Sequence, residues 1–278
     1  HVKLENIAKS KRKNRQKANW IKLAERGKIP VNAKYKNPRI SFDGIDWWIS
    51  VGINIKRSLK PMRDLKVLKI TKRHREGLGI DLGIKDLAIC SDKNKIKNIN
   101  KSYTIRKLKK KRRRLQRQVS RKYQMNKKGD SYKKTSNIIK SEKELLKINR
   151  RLANSRQNHL HQATTAIIKR KPSFICLEDL NVKGMMSNKH LSDATQEQKF
   201  YEFRRQIEYK AKWAKIPVII ADRYFASSKT CICCGKVKKD LKLSDRIYKC
   251  ECGNVIDRDF QAALNLKKYG EEQLKKIA

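Results

Sequence analysis

Two sets of residues in this chain have the types and spacing for chemistry. The first is acidic: Asp81 in GIDLGIKDLAI, Glu178 in FICLEDLNVKG and Asp259 in CGNVIDRDFQAALNL. These carboxylates lie far apart in sequence, each just after an apolar strand or at the start of a helix, and acids so placed can converge to hold divalent metal over a phosphodiester. Each also has an ordinary structural role open to it. Asp81 suits a turn before Gly83, Asp179 a helix N-cap, and Asp257 or Asp259 a cap for the helix FQAALNLKKY, read as ending at Gly270. A joint site is favoured because a first strand, a later strand and a C-terminal helix each supply one acid, in a chain whose charge suits a polyanion.

The second set is sulfur. Cys231-Ile-Cys233-Cys234-Gly and Cys250-Glu-Cys252-Gly are separated by 15 residues between Cys234 and Cys250, the spacing of a four-cysteine zinc ribbon. Zinc needs four thiolates in a tetrahedron, and two tight turns that end in Gly can each deliver two. The ligand set is Cys231, Cys234, Cys250 and Cys252, with Cys233 as the alternative. Cys90 and Cys176 lie in apolar strands and read as core residues, and His159 and His161 point to different faces of one helix and receive no role.

The elements that must position these groups follow from periodicity. Residues 2–27 read as a basic helix or helix pair ending at Gly27. Asp43-Gly44 signals a hairpin turn in NPRISFDGIDWWISVGIN, with Trp47, Ile49, Val51 and Ile53 alternating against Trp48, Ser50 and Gly52. Then GLGIDLG and DLAICSD read as two strands, SFICLED as a strand about 90 residues later, and IPVIIAD as another. Helices are expected at 158–171, closed by Pro172, and at 199–215, which makes the unit mixed α/β. Two long helices folded back on each other are expected within 101–151, broken at 126–130.

Charge narrows the partners. The 278 residues carry 72 Lys and Arg against 26 Asp and Glu, a formal net charge of +46, far more than solubility requires. Such a chain binds nucleic acid largely by counterion release, which excludes neither DNA nor RNA and is compatible with a ribosomal or histone-like binder. The stretch 101–151 holds 21 Lys or Arg against three acids, too many of one sign for an ordinary solvated face. It reads as a phosphate track that includes Lys109, Lys110, Arg112, Arg113, Arg114, Arg117 and Arg121. No stretch approaches the roughly 20 apolar residues of a membrane span, so an intracellular, cytoplasmic protein is expected.

The runs GIDLGIKDLAICSD, ICLEDLNVKGM, ASSKTCICCG and YKCECGNVIDRDFQAALNL, in this order, resemble the three split RuvC motifs and inserted zinc ribbon of TnpB, the OrfB-type protein of bacterial insertion sequences. TnpB proteins are related to the type V CRISPR effector nucleases. The resemblance covers about residues 38–270. It implies an α/β, RNase H-like (RuvC) nuclease domain with a long basic helical insertion and a four-cysteine zinc ribbon, preceded by a partial wedge-like β domain. The implied segments are a basic helical remnant of a recognition lobe at 1–30, the partial wedge at 31–75, the nuclease at 76–226 with its insertion at 101–157, the ribbon at 227–256 and the last RuvC motif and helix at 257–278. The catalytic acids fall on Asp81, Glu178 and Asp259 rather than Asp257, holding two Mg²⁺ ions about 4 Å apart, and structural Zn²⁺ falls on the four cysteines named above.

The resemblance further implies a guide RNA derived from the transposon end, which directs cleavage of target DNA beside a short motif. The chain departs from the pattern at the C-x-C knuckle, at Gln261 where the family usually has Asn, and in having only about 80 residues before the first motif, so part of the wedge and most of the recognition lobe are expected to be missing. The competing expectation is a catalytically incompetent remnant that binds nucleic acid through its zinc ribbon and basic helices.

Overall fold

The computed structural model of the chain describes residues 2–3, 20–21, 24, 33–54, 76–241 and 245–277, in two units spanning His1–Leu65 and Lys66–Ala278. In the first unit, β1 (Val2–Lys3) pairs antiparallel with β2 (Trp20–Ile21). The stretch read as a basic helix therefore contributes two short strands, and the rest of that expectation lies outside the described residues. β3 (Lys34–Phe42) and β4 (Trp47–Asn54) form the expected hairpin. Gly44 takes a φ of 86°, and Asp43 closes the turn by accepting the N–H groups of Ile45 and Asp46 on Oδ1.

The second unit is built on a five-stranded sheet. Its elements in order are β5 (Leu78–Leu82), β6 (Asp86–Cys90), β7 (Lys95–Lys97), α1 (Tyr103–Met125), β8 (Lys127–Lys128), β9 (Ser131–Tyr132), α2 (Ser136–Lys169), β10 (Ile175–Leu177), α3 (Val182–Ser187), α4 (Ser192–Gln198), α5 (Phe200–Ala214), β11 (Val218–Ile220), β12 (Ile247–Lys249), β13 (Val255–Asp257) and α6 (Arg258–Ile277). The sheet order is β11-β10-β5-β6-β7, with β5, β6 and β7 antiparallel and β10 parallel to both β5 and β11. The apolar runs singled out by sequence thus become adjacent strands of one mixed sheet.

Strand alternation sorts the two faces of that sheet. Leu78, Ile80 and Leu82 of β5 and Ile175 and Leu177 of β10 face a core shared with Leu160 and Ile167 of α2 and Phe203 and Ile207 of α5. Phe174 and Cys176 point the other way, to Leu266 of α6. Cys90 and Cys176 are fully buried core residues, as expected, and burial pushes each thiol up to about 12. Helix α6 lies unusually close to the sheet because glycines let it. A Cβ on Gly79 would stand 2.1 Å from the Ala263 carbonyl oxygen and 2.4 Å from the Lys267 nitrogen.

Two helix expectations are corrected. Gly270 does not end the last helix, which continues to Ile277. A Cβ there would come within 2.3 Å of the Phe174 ring and 3.1 Å of Cys176 Cβ, so the glycine serves a close approach rather than a cap. The helix expected at 158–171 is the second half of α2, a single helix of 34 residues. Residues 153–158 contain neither Gly nor Pro, and the helix simply changes partner: Ile148 and Leu152 pack with Ile105, Leu108 and Leu115 of α1, and Leu160, Ala163 and Ile167 pack on the sheet. Helices α1 and α2 fold back as expected, joined through β8 and β9, and Gly129 takes a φ of 58° at the bend. Among the described residues, no helix is long and apolar enough to cross a membrane.

The contact of α6 with β5 yields a stability prediction. Gly79→Ala forces helix and strand apart and should cost about 1–3 kcal/mol, read as a lower urea midpoint at unchanged m-value. An unchanged midpoint would show that the helix does not depend on this approach.

Candidate metal centres and nucleic-acid surface

The sheet register brings two of the acids together. Leu177 of β10 pairs in parallel with Ile80 of β5, so the next residue on each strand, Glu178 and Asp81, stands beside the other at the strand ends. Alternation sends Asp81 to the face of Gly79 and Glu178 to the face of Cys176, which is the face that α6 covers. Ala263 and Lys267 of α6 lie over Gly79 and Gly270 lies against Phe174, beside the start of β5, so α6 runs antiparallel to β5 and its first turn, one turn before Ala263, reaches the end of the strand where Asp81 sits. That turn carries Asp259. Asp257 is used differently: its Oδ1 accepts the backbone N–H groups of Asp259 at 3.1 Å and Phe260 at 3.0 Å and caps α6.

The electrostatics follow from this convergence. Burial first, then the charges of Glu178 and Asp259, hold the Asp81 carboxyl well above the usual carboxylate range, against an opposing pull from Arg258. Burial also raises Glu178, which accepts a hydrogen bond from Asp81 and feels the charge of Asp179. Asp179 itself is not a helix cap, a role taken by Asn181 at α3. It pairs with Arg223 and Arg204, at 2.7 and 2.8 Å, and those bonds lower its carboxyl. Asp259 receives Arg258 at 3.2 Å, with Arg246 at 3.8 Å. An all-carboxylate donor set in which two neighbours resist ionising together fits a hard divalent cation, whose charge would relieve that resistance.

The four cysteines chosen by spacing converge, and Cys233 stays outside. The sulfurs of Cys231, Cys234, Cys250 and Cys252 all lie within 4.8 Å of one another, close enough to hold one metal ion. Cys231 and Cys252 are 3.6 Å apart, as are Cys234 and Cys250, near the edge of about 3.8 Å expected of a tetrahedron with metal–sulfur bonds of about 2.3 Å. The C-x-C knuckle still closes, because Gly253 takes a φ of 85° and returns its N–H to the Cys250 carbonyl. Burial opposes ionisation of Cys231, but N–H groups of Cys234 and Cys233 and the neighbouring thiols lower it to about 6. Cys252 gains an N–H from Asn254, yet crowding by the other three sulfurs pushes it up to about 12.

The basic residues divide. Lys110, Arg113, Arg114 and Arg117 line an open groove of about 880 Å³ together with Tyr103 and with Arg151 of α2, and Arg121 extends the exposed row along α1. Lys109 and Arg112 depart from the expected track. Lys109 is tied to Glu197 of α4, whose other oxygen takes Arg156 of α2 at 3.1 Å, and Arg112 is half-buried toward Arg156, with its Nε unpartnered among the described residues. Sequence reasoning missed this junction. Its signal is faint: Glu197 is one of few acids near the basic helices, and nothing in its spacing names its partners.

Residues 64–189 match the OrfB_IS605 family, described as "Probable transposase", and residues 200–266 match the Cas12f1-like TNB domain. The chain is an OrfB relative. Among curated proteins, one from Streptomyces pristinaespiralis, provisionally named an RNA-guided DNA endonuclease, is 33% identical over 193 residues, covering 69% of this chain and 45% of that protein. InsQ of Escherichia coli K12, named in the same way, is 27% identical over 276 residues, covering 93% and 62%. This OrfB relative therefore spans about half to three-fifths of the length of these two proteins. A solved Cas12f1 complex with single guide RNA and target DNA matches in fold with a TM-score of 0.51 at 19% identity, over 68% of this chain and 49% of that one. A CRISPR-Cas12f ternary complex matches with a TM-score of 0.53 at 20% identity, over 80% and 42%.

The raised Asp81 carboxyl has a measurable consequence. The unfolded chain releases this proton near pH 4 and the folded chain holds it, so without added divalent ions the wild type loses stability as pH rises toward the folded value. Asp81→Asn escapes that loss. Its melting temperature should exceed the wild-type value by a margin that widens as pH rises above about 4; a constant margin would contradict a protonated Asp81.

Proposed function

We propose that the 66–278 unit is the core of a metal-dependent endonuclease that a transposable element encodes and a guide RNA directs to DNA. The observation that carries this reading is the juxtaposition of Asp81 and Glu178 at the ends of parallel strands, beneath the helix turn that bears Asp259. A sheet of three antiparallel strands continued by two parallel ones supports the RNase H-like, RuvC-type reading of the fold. Asp81, Glu178 and Asp259 are the residues that would hold Mg²⁺, probed as a pair of ions, and bound there it would activate a water for in-line attack on a phosphodiester and stabilise the departing oxygen.

The rest of the work falls to the chain itself. Asp179 is neutralised by Arg204 and Arg223, which leaves Glu178 to face Asp81. Asp257 starts α6 and so fixes where Asp259 projects. The cysteine cluster suits Zn²⁺, whose tetrahedral preference and thiolate affinity match its sulfur separations, and the metal would staple a ribbon with little core of its own. Exposed cations along α1 neutralise backbone phosphate, while base pairing with the guide would supply sequence specificity. Transposon-end RNA and target DNA are the partners this reading takes, by analogy with the relatives' names and complexes.

Two outcomes test it. With guide RNA from the flanking transposon end, matched plasmid and Mg²⁺, Asp81→Ala and Glu178→Ala should lose cleavage to background and keep DNA affinity within a few-fold. Asp257→Ala should still cut, at a cost of about 1 kcal/mol in stability from the lost cap. Undiminished cutting by Asp81→Ala would sink the assignment. Contact of Asp259 with Arg246 and Arg258 favours a second reading, a nucleic-acid binder that does not cut, and wild-type protein bound to heterogeneous RNA with no cleavage would establish that one. In either case, changing Lys110, Arg114 and Arg117 to Gln should lower the slope of log affinity against log salt by about 2–3. An unchanged slope would remove α1 from the binding surface.

A further inference from the structure

Helix α6 has two working faces. Asp259 and Ala263 turn toward the sheet, and Gln261 and Asn265, also four residues apart, turn toward the cysteine ribbon. Asn265 is almost fully buried and its Nδ2 donates to the carbonyls of Ser227 and Thr230, each at 2.7 Å, which anchors the segment entering Cys231. Gln261 is completely buried, and its Oε1 accepts from Asn254 Nδ2 at 3.0 Å. Asn254 in turn touches three of the four clustered cysteines. Its Nδ2 reaches Cys231 Sγ at 3.6 Å, its backbone N–H reaches the Cys252 sulfur, and its carbonyl accepts the Cys250 N–H at 2.9 Å.

We propose that Asn254 and Gln261 are positioning residues that join the cysteine metal site to the helix turn bearing Asp259, so that the metal state of the ribbon sets the metal affinity of the acidic site. The proposal rests on the reading of both clusters as metal sites. Groups hydrogen-bonded to metal ligands orient them, and their loss typically weakens metal binding by about 10–100-fold. Here the same amide that orients Cys231 is held by a residue two positions from Asp259. The shortened knuckle Cys250-Glu-Cys252 sets where Asn254 emerges, and the Gln side chain at 261 spans the remaining distance to it.

One feature separates this relay from ordinary packing. Gln261 Nε2 is buried without a hydrogen-bond partner among the described residues, so Gln261→Met, of similar shape, removes an unsatisfied donor as well as the relay acceptor. If Gln261 only packs, Gln261→Met is neutral or stabilising and leaves both metal sites as they were. The relay predicts a variant that still folds by circular dichroism, zinc affinity about 10-fold weaker in a chelator competition, and weaker Mn²⁺ binding at the acids by electron paramagnetic resonance. Gln261→Asn, which keeps the amide but falls short of Asn254, should behave like Gln261→Met, and Cys233→Ser like the wild type. Stripping zinc from the wild type should weaken Mn²⁺ binding to the same extent, and stripping it from Gln261→Met should add nothing. Wild-type Mn²⁺ affinity in Gln261→Met, or in stripped wild type, overturns the relay. Absence of zinc from the wild-type protein, or Mn²⁺ binding indifferent to Glu178→Gln, overturns instead the metal reading on which it stands.

Discussion

Two carboxylates placed side by side at the ends of neighbouring parallel strands repel each other, and the rest of the unit is arranged around that repulsion. Asp81 and Glu178 are forced into proximity by the register of β5 and β10, and burial then makes their joint ionisation costly. A third acid arrives from above on α6, at the helix end where the backbone dipole favours negative charge. On the proposed reading a bound cation would offset that concentration of like charge. The glycine at 79 belongs to the same design, since without it α6 could not lie close enough to bring Asp259 to the strand ends.

A second concentration of like charge sits outside the sheet. The α1–α2 hairpin has a small apolar seam of Ile105, Ile148 and Leu152, and most of its remaining surface is cationic. Its attachment to the sheet unit is itself electrostatic at one point, where Glu197 holds Lys109 and Arg156. A hairpin this rich in one charge would be stabilised by a polyanion lying along it. On the proposed reading the clusters would divide the labour of a guided nuclease: cations to hold the backbone, acids to hold the metal, sulfur to fix the ribbon between them.

Much of this was legible in the sequence because it rests on short-range pattern. Alternation located the strands that carry Asp81 and Glu178, and cysteine spacing named the four sulfurs that converge, with Cys233 left as an alternative that only the structure sets aside. What stayed hidden depends on contacts between elements distant in sequence. Gly270 looks like a helix terminator until Phe174 is seen filling the space where its Cβ would be. The full length of α2 is invisible locally because its two halves pack on different partners. Lys109 and Arg112 look like the other cations of α1, and only the positions of Glu197 on α4 and Arg156 on α2 set them apart. The hydrogen bonds of Asn254 with three cysteines and Gln261 have no sequence signature, since they arise from the turn geometry after a shortened knuckle.

The central claim is that the three acids share divalent metal. It is tested most directly by a crystal structure of the protein grown with Mn²⁺, with data collected to locate anomalous scatterers. The account predicts Mn²⁺ density bonded to carboxylate oxygens of Asp81, Glu178 and Asp259, with Asp259 released from Arg246. Density absent from this position, with Asp259 still held by Arg246 and Arg258, would contradict it.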